Sequence, residues 1–212
     1  MKPFVNFSRS LSLIFFALCS SATVAESPNY NYTELSYSSG EIKVGDDPQL
    51  KWDQEGFEIE GSHAFKNNIW VYGSYDRLDG RSDLDDSKLE SRSAVLRLGY
   101  VFTPGDTLSV DLSALLRKDR YKDILKTNRG WGLGAGVRAR LAMFELFGRA
   151  DYLGDDYDGG WAGDLGAVWH MSQHFGLTLS YEAADYKSKP DDGLKYQPSL
   201  LQLGVRFTFP RS

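Results

Sequence analysis

Charged residues of both signs recur at alternate positions of short apolar stretches, in a pattern that suits ion pairing. A guanidinium group can bridge two carboxylates in a fixed geometry, and buried charges are costly unless each is paired and hydrogen-bonded. If these residues shared one narrow interior, they would form a structural ion-pair plug. The alternative is a constricted, charge-lined path for a small solute, in which the excess of acids would favour cations. The residues of this charged network are Glu34, Glu58, Glu60, Arg97, Asp111, Arg138, Arg140, Glu145, Arg149, Asp151, Asp164, Glu182 and Arg206.

Two aspartate-rich segments could supply the oxygen ligands that calcium and other hard cations prefer. Their spacing does not match a calcium-loop motif such as the EF-hand. We therefore interpret both as solvated loops and predict no specific metal site. The first segment contains Asp76, Asp79, Asp83, Asp85 and Asp86, and the second contains Asp155, Asp156 and Asp158.

Strands are the elements that would position these side chains. Alternation of apolar and polar residues with a period of two, bounded by Gly, Pro, Asn and Asp, recurs along the chain. Short connections alternate with longer polar ones at 40–53, 78–90, 117–130, 154–160 and 184–199. This arrangement predicts an all-β fold, a closed antiparallel up-and-down barrel of ten strands. Eight strands are the alternative if 69–77 or 161–169 is not a strand. The predicted strands are 30–39, 54–65, 69–77, 91–102, 107–116, 131–141, 144–152, 161–169, 175–183 and 201–209.

The apolar face of these strands is predicted to face lipid. A soluble lipocalin-like barrel has the same alternation with the faces reversed. Here, however, the polar face combines Arg, Glu and Asp with Gly, Ser and Thr and has almost no Lys, which suits a tight interior. Aromatic residues at the strand ends also predict two rings about 25 Å apart, as in membrane barrels. One ring consists of Phe65, Phe102, Phe144, Trp169, Phe175 and Phe209; the other consists of Tyr37, Tyr75, Trp131, Tyr152, Trp161 and Tyr181.

Residues 1–25 have the composition of a cleaved signal peptide. Lys2 and Arg9 accompany the apolar segment 11–18, and Ala25 offers a cleavage site. The apolar segment is shorter than the roughly 20 residues that a membrane-spanning helix needs. Cleavage would leave a single domain, 26–212, without Cys19, and would change the net charge from −5 to −7. Neither this charge nor any basic stretch suggests nucleic-acid binding.

The last predicted strand carries the most specific motif of the chain. Gln202 is followed by Gly204 two positions later and by Phe207 and Phe209 five and seven positions later. This spacing resembles the C-terminal assembly signal of outer-membrane β-barrels, although Pro210-Arg211-Ser212 follow the usual terminal aromatic residue. Together with the alternation and the aromatic rings, the motif makes the chain resemble the small barrel families related to OmpA and OmpX.

The resemblance implies a place in the outer membrane, reached through the periplasm, and contact with outer-membrane lipid and lipopolysaccharide. It also implies recognition by the barrel-assembly machinery. Divalent ions that bridge lipopolysaccharide would then meet the aspartate-rich loops. We expect a monomer with no cofactor and no nucleic-acid partner.

Enzymes occur in barrels of this kind, and the resemblance indicates where their sites would lie. Outer-membrane proteases place Asp and His residues near the outer rim, and lipid A deacylases and phospholipases need a His near a Ser there. In this chain His63, His170 and His174 instead fall beside predicted periplasmic turns. We therefore predict no enzyme. The favoured hypothesis is a plugged barrel with a structural or interaction role at the cell surface, and the alternative is a narrow, cation-leaning channel. An outer-leaflet lipid-modifying or proteolytic enzyme is the least favoured.

Overall fold

The computed structural model describes residues 27–45, 50–82, 87–122 and 126–210. The predicted signal peptide and Asp83, Asp85 and Asp86 lie outside these residues. Ten antiparallel strands form one closed barrel, in which every strand pairs with its neighbours in sequence and β10 pairs with β1. The strands are β1 (Tyr32–Val44), β2 (Leu50–Ala64), β3 (Ile69–Ser82), β4 (Lys88–Phe102), β5 (Leu108–Lys122), β6 (Asn128–Leu141), β7 (Phe144–Leu153), β8 (Gly160–His170), β9 (Phe175–Ser188) and β10 (Leu194–Thr208).

The prediction of ten strands is confirmed, and the eight-strand alternative is wrong. Both of the strands in question, β3 and β8, pair along their length with a neighbour on each side. Closure of the barrel satisfies the backbone groups that an open sheet would leave exposed at its edges. Among the described residues, no helix is long and apolar enough to cross a membrane.

The two ends of the barrel differ. We call the end at which β1 begins and β10 ends the base, and the opposite end the tip. The base carries the connections 65–68, 103–107, 142–143 and 171–174. At the tip, β1 is followed by β2, β3 by β4, β5 by β6, β7 by β8 and β9 by β10. The connections fully described there are 154–159, which contains a 3₁₀ turn over Asp155–Tyr157, and 189–193.

The predicted assignment of the two faces is confirmed between the aromatic rings. Outward residues such as Leu165 and Leu203 are each 62% exposed, whereas Asp111 is fully buried in the interior. All twelve ring residues point outward and are exposed. In β3, where large residues occupy both faces, Trp70 and Tyr72 point inward and Tyr75 points outward.

Four of the five predicted long connections at the tip are wrong in extent, because most of their residues belong to strands, whereas the prediction of 154–160 agrees with the observed 154–159. β1 continues to Val44 rather than ending at Ser39, and β10 begins at Leu194 rather than at Leu201. The strands therefore extend past the ring of Tyr37, Tyr75, Trp131, Tyr152, Trp161 and Tyr181, which we call the tip-side ring. Beyond this ring the alternation reverses, so that apolar residues such as Ile42 point inward while Lys43 points outward. A strand with this polarity is typical of a barrel surrounded by water.

Candidate functional site: a layered barrel interior

The interior of the barrel consists of three layers stacked from base to tip. An aromatic cluster lies at the base, an ionic layer occupies the middle, and a larger apolar cluster fills the tip. The predicted charged network supplies most of the ionic layer, whereas the two flanking clusters were not predicted.

Arg206 on β10 is the centre of the ionic layer. Its Nε donates to Glu34 Oε2 at 2.6 Å, and its terminal nitrogens lie 3.5 Å from Glu60 Oε1 and 3.6 Å from Glu145 Oε1. The guanidinium carbon also lies 3.9 Å from the centroid of the Tyr32 ring. One cation thus reaches carboxylates on three strands, which is the bridging that the sequence predicted for arginine.

Arg138 on β6 supports the same group of carboxylates from the opposite wall. Its Nη1 lies 3.2 Å from Glu145 Oε1, and its Nη2 donates to the Tyr32 hydroxyl at 3.1 Å. Glu145 is 1% exposed, so it depends on these two arginines and on His170, whose Nε2 lies 3.5 Å away. An unpaired carboxylate at this depth would be strongly destabilising.

Two further arginines pair with aspartates across the barrel. Arg97 forms a bidentate pair with Asp151, in which both N–O distances are 2.7 Å. Arg149 donates through Nη2 to both oxygens of Asp111, at 2.9 and 3.0 Å. These pairs join β4 and β5 to β7, which pairs with neither of them in the sheet, and therefore link parts of the wall through the interior.

The remaining predicted members have less direct partners. Glu58 accepts a hydrogen bond from Gln202 Nε2 at 2.6 Å, and Glu182 Oε1 lies 3.5 Å from Arg117 Nη1. Asp164 lies opposite Arg149 in the β7–β8 register and lines the central cavity. The prediction that Arg140 belongs to the charged network is wrong. Arg140 is half-buried at the base and forms no ion pair among the described residues.

Three charged residues of the interior were missed by the sequence analysis. Asp76, which we had placed in a loop, points inward from β3 and accepts a hydrogen bond from the Ser93 amide at 3.0 Å. Arg117 and Asp119 on β5 pair at 3.0 Å. Arg117 and Asp119 lie in a part of β5 that was predicted to be a loop, and continuing the period-two pattern past Leu116 would have identified them. Asp76 lies within the predicted strand 69–77, on the same face as Trp70 and Tyr72.

Glycines make room for the ion pairs. A Cβ atom on Gly134 would lie 2.0 Å from Asp151 Oδ1, and one on Gly136 would lie 2.6 Å from Asp111 Oδ2. Gly204 of the assembly signal does the same for Glu34, since its Cβ would lie 2.7 Å from Oε1. The small residues of the polar face are therefore part of the ionic layer.

The assembly-signal residues occupy both faces of β10. Gln202 points inward with Gly204, accepting from the Ser180 hydroxyl at 2.9 Å and donating to Glu58. Phe207 and Phe209 point outward and pack edge to face with their ring centroids 5.0 Å apart.

The cluster at the base closes the interior beneath the ionic layer. Trp70 is fully buried, and its ring centroid lies 5.7 Å from that of Tyr30 and 6.2 Å from that of Tyr72. Arg149 lies over the Trp70 ring at 4.9 Å, so the aromatic cluster also contacts the ionic layer through a cation–π interaction.

The cluster at the tip closes the other end. Tyr186 stacks on Tyr196 with parallel rings 5.4 Å apart, and it packs edge to face on Tyr157 at 5.0 Å. Its hydroxyl lies 2.8 Å from the hydroxyl of Tyr121. We call these four residues the tyrosine plug. Apolar residues surround it, namely Ile42, Val44, Trp52, Leu89, Leu115, Leu153, Ala162 and Ala184.

Little space remains between the two clusters. The central cavity has a volume of about 80 Å³ and is lined by eight acids and five arginines. About 10–15 Å³ of such cavity volume accommodates one water molecule, so the cavity has room for several waters rather than an open lumen.

The family of the chain follows from its sequence together with this barrel. Residues 10–209 match the family model described as the outer membrane protein beta-barrel domain. The chain belongs to this family. None of the curated proteins compared with it matches significantly in sequence.

Solved outer-membrane structures share the fold at low sequence identity. The outer membrane protease OmpT from Escherichia coli is 11% identical, with a TM-score of 0.53 and coverage of 90% of this chain and 99% of that one. The β domain of the Bordetella autotransporter BrkA is 12% identical, with a TM-score of 0.52 and coverage of 84% and 99%. Neisserial surface protein A is 13% identical, with a TM-score of 0.45 and coverage of 84% and 96%. At these identities the similarity concerns the fold alone.

In this outer-membrane barrel, the apolar side chains between the two aromatic rings face lipid, and the tip extends beyond the lipid. The tyrosine plug therefore lies outside the membrane-spanning part. Burial raises the pKa of Tyr157 and Tyr186 above the ordinary value of a phenol, so both hydroxyls remain neutral.

The three histidines all lie at the base. His63 points outward and packs on Phe65, His170 faces Glu145, and His174 Nδ1 lies 3.1 Å from the Thr208 carbonyl oxygen. The first aspartate-rich segment is divided by the fold, since Asp76 points inward and Asp79 outward. Among the described residues, no group of three or more His, Cys, Asp or Glu is arranged to hold a metal ion.

Proposed function

We propose that this outer-membrane barrel is closed to solutes and acts as a structural or interaction protein, presenting its tip at the cell surface. The observation that carries the proposal is the layered interior. Each possible route between base and tip meets the Trp70 cluster, the ionic layer and the tyrosine plug in turn. The proposal includes no catalysis, because the three histidines lie at the base, away from the outer leaflet.

Conductance in planar lipid bilayers tests the closed interior. We expect the purified, refolded protein to give no steady conductance, because the flanking clusters leave no continuous path for water and ions from the small central cavity to either end. Refolding would be verified beforehand by the heat-dependent shift in gel mobility that folded barrels show. Steady channel openings from such a preparation would contradict the proposal.

A narrow, cation-leaning channel is the second candidate, supported by the excess of acids that line the cavity. The same recordings distinguish it. A conductance that is steady and selects cations over anions would favour this channel, because uncompensated carboxylates attract cations.

Labelling of single cysteines tests the presentation of the tip. Cys19, the only cysteine, lies in the predicted signal peptide, so a processed chain would carry only the introduced thiol. We expect a membrane-impermeant maleimide to label Lys187→Cys on intact cells, because Lys187 is exposed near the tip end of β9. Lys66→Cys, in an exposed turn at the base, is the matched control and should be labelled only after the cells are opened. The reverse pattern would show that the base faces outward.

A further inference from the structure

A group of basic side chains lies on the outside of the barrel immediately beyond the tip-side ring. The group occupies four consecutive strands, β3 to β6. Arg77 and Arg129 are the next outward positions after the ring residues Tyr75 and Trp131. We call the group the basic patch; it consists of Arg77, Arg92, Lys118, Arg120 and Arg129.

The sheet places these like charges directly opposite one another. Arg77 pairs in register with Arg92, Arg92 with Arg120, and Lys118 with Arg129. Like charges in such positions destabilise a sheet, and an anion bound between them would relieve the repulsion.

Intramolecular neutralisation of the patch is incomplete. Glu90 forms an ion pair with Arg92 and lies 3.6 Å from Arg77. Lys118, Arg120 and Arg129 form no side-chain ion pair among the described residues. Three positive charges therefore remain available at the level where the barrel leaves the lipid.

On the opposite wall of the barrel, at the same height, three lysines form ion pairs with acidic side chains. Lys43 and Lys51 both pair with Glu41, at 2.5 and 3.0 Å, and Lys195 pairs with Asp185 at 3.0 Å. Among the described residues at this height, unpaired positive charge is therefore concentrated on the wall formed by β3 to β6, and Lys187 on β9 is an exception.

An open groove of about 470 Å³ connects this basic patch with the lipid-facing surface. Its floor is apolar, formed by Ala94, Leu96, Leu116 and Trp131, and its rim includes Lys118, Arg129 and one acid, Asp155. A ligand that fits this groove needs an apolar part at membrane depth and an anionic part just above it.

We infer that the basic patch and this groove bind lipopolysaccharide in the outer leaflet, with its lipid phosphates on the patch and an acyl chain along the floor. Guanidinium groups match phosphate oxygens in a bidentate geometry, and lysine adds a point charge. The inference rests on the proposed orientation of the tip toward the cell exterior, which the labelling of Lys187→Cys tests separately, and not on whether the barrel interior conducts.

Binding of purified lipid A, the phosphorylated acyl-chain anchor of lipopolysaccharide, tests this assignment. The patch variant would be Lys118→Gln, Arg120→Gln and Arg129→Gln, and the matched control Lys43→Gln, Lys51→Gln and Lys195→Gln, which removes the same charge from paired lysines on the opposite wall. Each basic residue near an anionic lipid surface strengthens binding about fivefold, so the patch variant should bind lipid A roughly a hundredfold more weakly. The control should bind within about twofold of the unmodified protein, since its lysines are neutralised locally.

Two comparisons make the result decisive. Lipid A stripped of its phosphates should bind the unmodified protein as weakly as intact lipid A binds the patch variant. Gel mobility should show that both variants are folded, because all six substituted side chains point outward. Equal loss of binding in the patch and control variants, or equal binding of phosphorylated and stripped lipid A, would overturn the inference.

Discussion

Replacing Arg206 by methionine is expected to lower the free energy of unfolding of the barrel by about 3–5 kcal/mol. Arg206 is the cation nearest to Glu34 and also faces Glu60 and Glu145. Methionine would retain much of the packing volume but leave these carboxylates without their shared partner. Urea unfolding in detergent micelles, followed by tryptophan fluorescence, would measure the change.

Arg140→Met is the matched control for this experiment. Arg140 also faces the interior but forms no ion pair among the described residues, so its loss should change stability by no more than about 0.5 kcal/mol. The double variant Arg206→Met with Glu34→Gln should recover part of the loss, because one stranded charge is removed. If Arg206→Met and Arg140→Met were equally stable, the ionic layer would not hold the barrel together as described.

Truncating Tyr186 to alanine is expected to cost about 3–5 kcal/mol, the range found for large aromatic residues removed from packed interiors. The ring is 2% exposed and contacts Tyr157 and Tyr196, so its loss leaves a cavity in the centre of the tyrosine plug. Urea unfolding of the refolded protein would measure this effect as well.

Tyr186→Phe separates the ring from its hydroxyl. This variant retains the stacked ring and loses the hydrogen bonds of the hydroxyl with Tyr121, at 2.8 Å, and with Asp119, at 3.4 Å, so it should cost about 1–2 kcal/mol. A loss as large as that of the alanine variant would assign the stability of the tip to hydrogen bonding rather than to aromatic packing.

The membrane-spanning part of the fold could be predicted from the sequence because one physical rule governs every residue in it. Lipid requires apolar side chains outside, and a narrow interior requires small or paired polar ones. Leu203 and Arg206 on β10 each obey that rule, as do Leu112 and Asp111 on β5. The period of two was therefore sufficient to assign most of the ionic layer without knowledge of any contact.

The tip could not be predicted in the same way, because beyond the lipid the outward side chains are polar and the inward ones are apolar. On β5, Leu116 faces lipid, but Lys118 and Arg120 continue the same outward row. If the pattern of the membrane-spanning part is applied to them, these charges predict the end of the strand and a loop over 117–130. The individual ion pairs were also beyond prediction, since Arg97 and Asp151 are separated by 54 residues and meet only when the barrel closes.

The reversal of polarity at the tip-side ring means that the barrel continues well beyond the lipid. From Tyr37 to Val44, β1 continues for seven residues, which at about 3.4 Å per residue is roughly 24 Å of strand beyond the ring. A sheet with its own packed centre forms a stiff collar beyond the ring, and the described turns 154–159 and 189–193 lie on its rim. Substitutions in those turns would change the surface of the tip while the collar keeps its shape, so this surface can vary without a change in the fold.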